Sequence, residues 1–132
     1  MKRFLFSILV LSSAFIASPL FANEVEIVNV HFIKKAKTWT VRTTLRHNDT
    51  GWEHFADAWR VVDEDGNELG KRVLYHPHEN EQPFTRSLND LSVPRGTNVV
   101  YVEARDNVHG WAKARVIVDL TRTDGPGYRV SK

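Results

Sequence analysis

Polar and apolar residues alternate along most of this chain. In "TWTVRTTLRH" Trp39, Val41, Thr43 and Leu45 fall on one face, and Thr40, Arg42, Thr44 and Arg46 on the other. "VVYVEA" repeats the pattern with Val100, Val102 and Ala104, and "WAKARVIVDL" with Ala112, Ala114, Val116, Val118 and Leu120. A period of two with one apolar face marks strands that pack on one side and meet water on the other. Helical periodicity is absent from every stretch of ten or more residues, and there is no internal repeat. "VVDEDGNELG" is an Asp-Gly hairpin signal, and "LSVPRGTN" is a Pro/Gly turn.

The pattern predicts strands at about 24–33, 38–46, 55–63, 68–75, 84–89, 98–105 and 111–120. That number of short strands in one small domain reads as an all-β, immunoglobulin-like antiparallel β-sandwich of about seven strands. "EVEIVNVHF" changes face between Ile27 and Val28, which a bulge or a change of sheet explains. Trp39 and Trp59 are expected in the core. The closing "TRTDGPGYRVSK", residues 121–132, is turn-rich and polar and is expected to be flexible.

The first 22 residues do not alternate. "MKRFLFSILVLSSAFIASPLFA" has two basic residues, an apolar run and a small residue at its end, the pattern of a signal peptide. Ser12, Ser13 and Ser18 interrupt the run, which argues against a permanent membrane span. The expected organisation is a signal peptide over 1–22, a sandwich domain over 23–120 and the tail over 121–132, in a periplasmic or secreted protein.

Export changes the charge balance. Without Lys2 and Arg3 the 18 basic residues become 16, against 16 acidic ones. A nearly neutral domain asks for neither nucleic acid nor an anionic membrane as partner. Cysteine is absent, and the one methionine is Met1. Disulfides, thiol catalysis and thiolate or thioether metal sites are thereby excluded.

Strand order then sorts the candidate chemistry. If consecutive strands run antiparallel, the connections 47–54, 76–83 and 106–110 share one pole of the sandwich. They contain His47, His54, His76, His78 and His109, while His31 lies on the first strand. Asp106 and His47 continue the inward parity of their strands, so both are expected to turn into the mouth of the sandwich. Imidazoles and a carboxylate gathered from separate loops suit a borderline metal ion. Trp52 and Trp111 stand at or beside this pole and are candidates for a lid. Asp57 shares a face with Trp59. It is expected either to orient a histidine or to lie near the rim with Arg86 or Arg105.

"HNDTGWEHFADAW", followed much later by "ARDNVHGW", resembles the ferrous-iron domain of the superoxide reductases (desulfoferrodoxin and neelaredoxin), itself an immunoglobulin-like sandwich. The resemblance implies that His47, His54 and His109 occupy iron-ligand positions. Asp106 stands where that family has a cysteine thiolate, and the spacing from His47 to His54 is one residue longer. The family's early histidine has a counterpart only if His31, His76 or His78 takes its place. A carboxylate is a harder, weaker donor than the thiolate that pushes electron density onto iron.

The resulting expectation is an exported protein whose pole binds a divalent metal through His47, His54, His76, His78, Asp106 and His109, with Trp52, Asp57 and Trp111 in support. Copper or zinc is expected ahead of iron, and binding or delivery ahead of turnover. One alternative is a metal-free module of the cell envelope that grips a partner protein with the same loops. Another is a superoxide reductase-like redox protein with a non-thiolate iron site.

Overall fold

The computed structural model describes residues 24–132; the leader expected at 1–22 lies outside them. Ten strand segments are described: β1 (Glu26–Lys35), β2 (Thr38–Arg46), β3 (Ala56–Val62), β4 (Glu68–Val73), β5 (Phe84–Leu91), β6 (Val99–Asp106), β7 (Gly110–Trp111), β8 (Val116–Asp119), β9 (Asp124–Gly125) and β10 (Tyr128–Ser131). They form two sheets, one in the order β5-β2-β1-β10-β9 and the other β4-β3-β6-β7, with β8 also paired to β6. The fold is an all-β sandwich, and among the described residues no helix is long and apolar enough to cross a membrane.

The alternation on β2 and β6 is what builds the core. Trp39, Val41, Thr43 and Leu45 are all buried, as are Val100, Val102 and Ala104. They meet Phe32, Trp59, Val61, Phe84 and Val118 between the sheets. In β1 the register against β2 shifts between Ile27 and Asn29. This is the bulge that the change of face at Ile27–Val28 predicts, and the strand stays in one sheet.

Two expectations need correction. Residues 111–120 do not form one strand, because pairing with β6 breaks between Trp111 and Val116. In that break the Lys113 amide turns outward to the Glu24 carboxylate, 3.1 Å away, and Ala114 is exposed. Residues 121–132 are not a loose tail either. β10 adds to the open edge of β1 as a parallel strand, Val30 opposite Tyr128 and Phe32 opposite Val130. Tyr128 and Val130 are buried, each contributing roughly 1.5–3 kcal/mol by apolar burial. Gly125 lies against the Tyr128 ring so closely that a Cβ there would collide with it.

The connections sort into poles as the strand order predicts. Asp63–Asp65 and Gly96–Val99 line one shared depression at one end. The histidine-bearing loops converge at the other.

Candidate metal centre

Asp106 is the last residue of β6 and points inward after Val100, Val102 and Ala104. It is fully buried, at 0% exposure. Its Oδ1 accepts the backbone amides of Val108 (2.8 Å) and His109 (2.7 Å), closing the turn that leads into β7. Gly110 completes that turn at φ 74°, a conformation other residues adopt only with strain. Burial acts to raise the Asp106 carboxyl. The two amides and the His109 imidazole overcome that and hold it below its ordinary value, so the group is a carboxylate.

Three imidazoles surround this carboxylate. His109 Nδ1 is 3.1 Å from both oxygens, His54 Nε2 is 3.2 Å from Oδ1, and His47 Nε2 is 3.9 Å from Oδ2. The His47 and His54 ring centroids are 4.7 Å apart, and those of His54 and His109 5.0 Å. His47, His54 and Asp106 each offer a ligand atom within 4.8 Å of one another. His54 Nε2 is buried and makes no hydrogen bond, since its contact with Asp106 lacks the geometry of one. A buried polar nitrogen of that kind calls for a partner. Neutral imidazole nitrogens and one carboxylate are a donor set for a divalent transition ion, so the residues present fit such a group.

The mount of His47 is as informative as its position. Asp49, absent from the sequence expectation, is buried and accepts the amides of Ala56 at Oδ1 (3.0 Å) and His78 at Oδ2 (2.7 Å). Its Oδ1 also lies 2.6 Å from His47 Nδ1. A carboxylate can only accept, so Nδ1 carries a proton, and in the neutral ring that leaves the lone pair on Nε2, the nitrogen facing Asp106.

Amide side chains tie the loops together. Asn107 Oδ1 accepts the Phe55 amide and its Nδ2 donates to the Trp52 carbonyl, both at 2.9 Å. Gln82 Oε1 accepts the His47 amide at 3.0 Å, and its Nε2 donates to the His78 carbonyl at 2.9 Å. Asp49, Asn107 and Gln82 carry no recognisable spacing in the sequence. The only local signal is Asp49 two residues after His47, a separation at which Asx side chains bond nearby groups.

The other predicted residues lie outside this cluster. His78 is buried behind Asp49, stacked on Phe84 at 3.9 Å, with Arg86 Nη2 2.9 Å from its Nε2. Arg86 donates there and so occupies the lone pair a metal would need. Burial, then Arg86 and His76, lower the His78 pKa below its ordinary value. His76 is exposed and its Nδ1 bonds the Pro77 carbonyl. His31 faces outward on β1 and bonds Ser131 Oγ at 2.8 Å. None of these three joins His47, His54 and His109.

Asp57 orients no histidine. The register of β3 against β6 shifts between Ala56 and Ala58, turning Asp57 off the Trp59 face to pair with Arg105 at 2.9 Å. Trp111 is not a lid: it packs on the outside of its sheet under the Arg60 guanidinium, 3.8 Å from the ring centroid. Trp52 does stand at this pole, 66% exposed and edge-on to Phe55.

No family model matches the sequence. Over 76 residues, 58% of this chain, it is 42% identical to the "Putative lipoprotein" of Halomicrobium mukohataei, and the match spans 37% of that protein's length. Among solved structures, the superoxide reductase (1Fe-SOR) from Giardia intestinalis is similar with a TM-score of 0.44 and 17% identity, over 72% of this chain and 99% of that one. A likeness of that size describes a loosely related fold and carries no argument about the site.

Proposed function

We propose that this chain is an exported metal-binding protein whose pole holds one divalent ion between His47, His54, His109 and Asp106, with copper(II) or zinc(II) preferred to iron(II). The observation that carries this reading is the buried Asp106 carboxylate ringed by three imidazole nitrogens at 3.1–3.9 Å. The ion would supply the positive charge that these electron-pair donors share. The chain's own residues set the terms of binding. Asp49 fixes the tautomer of His47, and the 108–109 amides hold the Asp106 carboxylate in place. The proton between His109 Nδ1 and Asp106 must leave when that nitrogen takes a metal.

Binding or delivery fits this donor set better than superoxide reduction, because the thiolate of the resembling family is replaced by a harder carboxylate. Export is supported by the leader pattern of residues 1–22 and by the likeness to the Halomicrobium mukohataei protein. Elemental analysis of protein purified from its native compartment, with site occupancy measured, tests the proposal. The expected result is one divalent transition ion per chain that is lost in His54→Ala. Protein that is metal-free and does not bind added Cu(II), Zn(II) or Fe(II) would leave the same loops to a protein partner.

A further inference from the structure

The outer face of the β5-β2-β1-β10-β9 sheet, away from the metal centre, carries two arginines, Arg42 and Arg129, on either side of His31 in one cross-strand row. His31 on β1 pairs directly with Arg42 on β2 and with Arg129 on β10. Residues paired across neighbouring strands share a face, so the three side chains stand in line. Ser87 continues the row beyond Arg42 and Asp124 beyond Arg129. Elsewhere Arg46, Arg60, Arg86, Arg105 and Arg115 each pair with a carboxylate. Among the described residues Arg42 and Arg129 make no ion pair within 4.0 Å, and Asp124, though next in line, does not reach Arg129. Both arginines act on His31 electrostatically, after burial, to hold it below its ordinary pKa.

We propose that Arg42 and Arg129, flanking His31 and the Ser131 hydroxyl, form a binding site for an oxyanion of the phosphate type. Strands lie about 4.8 Å apart, which puts the two arginines about 10 Å apart across the row. Guanidinium forks on side chains of that length can meet over His31, and paired forks suit a phosphate group better than lysines would. Ser131 Oγ, already 2.8 Å from His31 Nε2, adds a hydroxyl at the centre. The neighbouring rows are Thr85, Thr44 and Asn29 on one side and Thr40, Ile33 and Ser131 on the other. None of the exposed large apolar side chains lies on this face, so nothing here would insert into a bilayer. The ligand is a phosphate group read from the outside, either free or as the headgroup of a lipid.

The test uses the purified chain and its variants Arg42→Gln, Arg129→Gln and the double variant. Inorganic phosphate, and separately vesicles of a zwitterionic phospholipid with or without an anionic one, are added at constant ionic strength set with chloride. The expected result is that phosphate or the anionic vesicles shift the His31 ring resonances and raise the melting temperature. Each single variant should weaken binding at least tenfold and the double variant should abolish it. Without ligand, the variants should melt like the parent, because both arginines are exposed and make no ion pair. Phosphate activity alone identifies a free ligand, and vesicle binding alone a headgroup. His31 resonances that ignore both ligands, or that respond equally to chloride, overturn the site.

Discussion

His47 Nδ1 and Asp49 Oδ1 lie 2.6 Å apart, and both side chains are buried. This bond turns His47 from a residue near Asp106 into one with its Nε2 lone pair committed to the Asp106 side. The same Asp49 binds the His78 amide, so one carboxylate anchors both the 47–55 and the 74–83 loops.

Asp49→Asn keeps the shape but weakens the grip on His47. Metal affinity should fall by about 10–100-fold, the usual cost of losing a carboxylate behind a ligating imidazole. Isothermal titration with Zn(II) checks this, together with the His47 Nδ1 proton resonance, which should move upfield. Unchanged affinity would mean that Asp49 serves only to pack the loops.

His54→Ala and His109→Ala should each remove most of the metal binding; His54→Ala should leave metal-free stability within about 0.5 kcal/mol, and His109→Ala should cost about 0.5–1.5 kcal/mol for its bond to Asp106. His47→Ala should also remove binding but cost more, about 1–3 kcal/mol, because it strips a partner from buried Asp49. Affinity in the parent protein should fall as the solution is made acid, because protons compete with the metal for the same imidazole lone pairs. Competition titrations at several pH values decide it; a flat profile down to pH 5 points away from histidine ligands.

Asp106→Cys removes the acceptor of two backbone amides and places sulfur at the position that the sequence resemblance to the superoxide reductases implies for a thiolate. The variant should lose stability, roughly 1.5–3 kcal/mol for each charge-assisted bond removed. It should also take up Fe(II) and show a thiolate-to-iron charge-transfer absorption when oxidised. Loss of stability with no iron uptake would reduce Asp106 to a turn cap.

His78 makes a separate pH prediction. Its folded pKa is depressed, first by burial and then by Arg86 and His76. Above the unfolded value of about 6.5 neither state is protonated and the contribution to stability is fully present. As pH falls below it the unfolded chain takes the proton first, so stability declines until the folded value is passed. Denaturant melts of metal-free protein at pH 7.5 and 5.5 should differ less for His78→Gln than for the parent. An equal difference in both proteins would remove His78 from the account.

Removal of residues 121–132 should unfold the domain or lower its melting temperature sharply, and Tyr128→Ala alone should cost about 3–5 kcal/mol, in the range of large aromatic truncations. Thermal melts followed by circular dichroism test this. A truncated chain that melts like the parent would mean β10 contributes no packing.

The alternation along β2 and β6 was enough to place Trp39, Val41, Thr43 and Leu45 inside and, by continuing the count, to turn His47 and Asp106 inward. Antiparallel order was enough to send His47, His54 and His109 to one pole. Those are local properties, since period and turn chemistry depend on neighbours in the chain. What the tertiary structure decided lies between distant residues: Asp49 binds the amide of His78 across 29 positions, and Asn107 binds Phe55 and Trp52 across 52 and 55. A register shift at Asp57 took that carboxylate away from the core, and Arg86 took His78 away from the cluster. The segment "YRVS" alternates as β2 and β6 do, with Tyr128 and Val130 inward, and became β10 because β1 offered an unpaired edge beside Val30 and Phe32. The alternation over Tyr128–Ser131 is only four residues long, and the open edge and apolar neighbours that make it a strand are supplied by the rest of the fold.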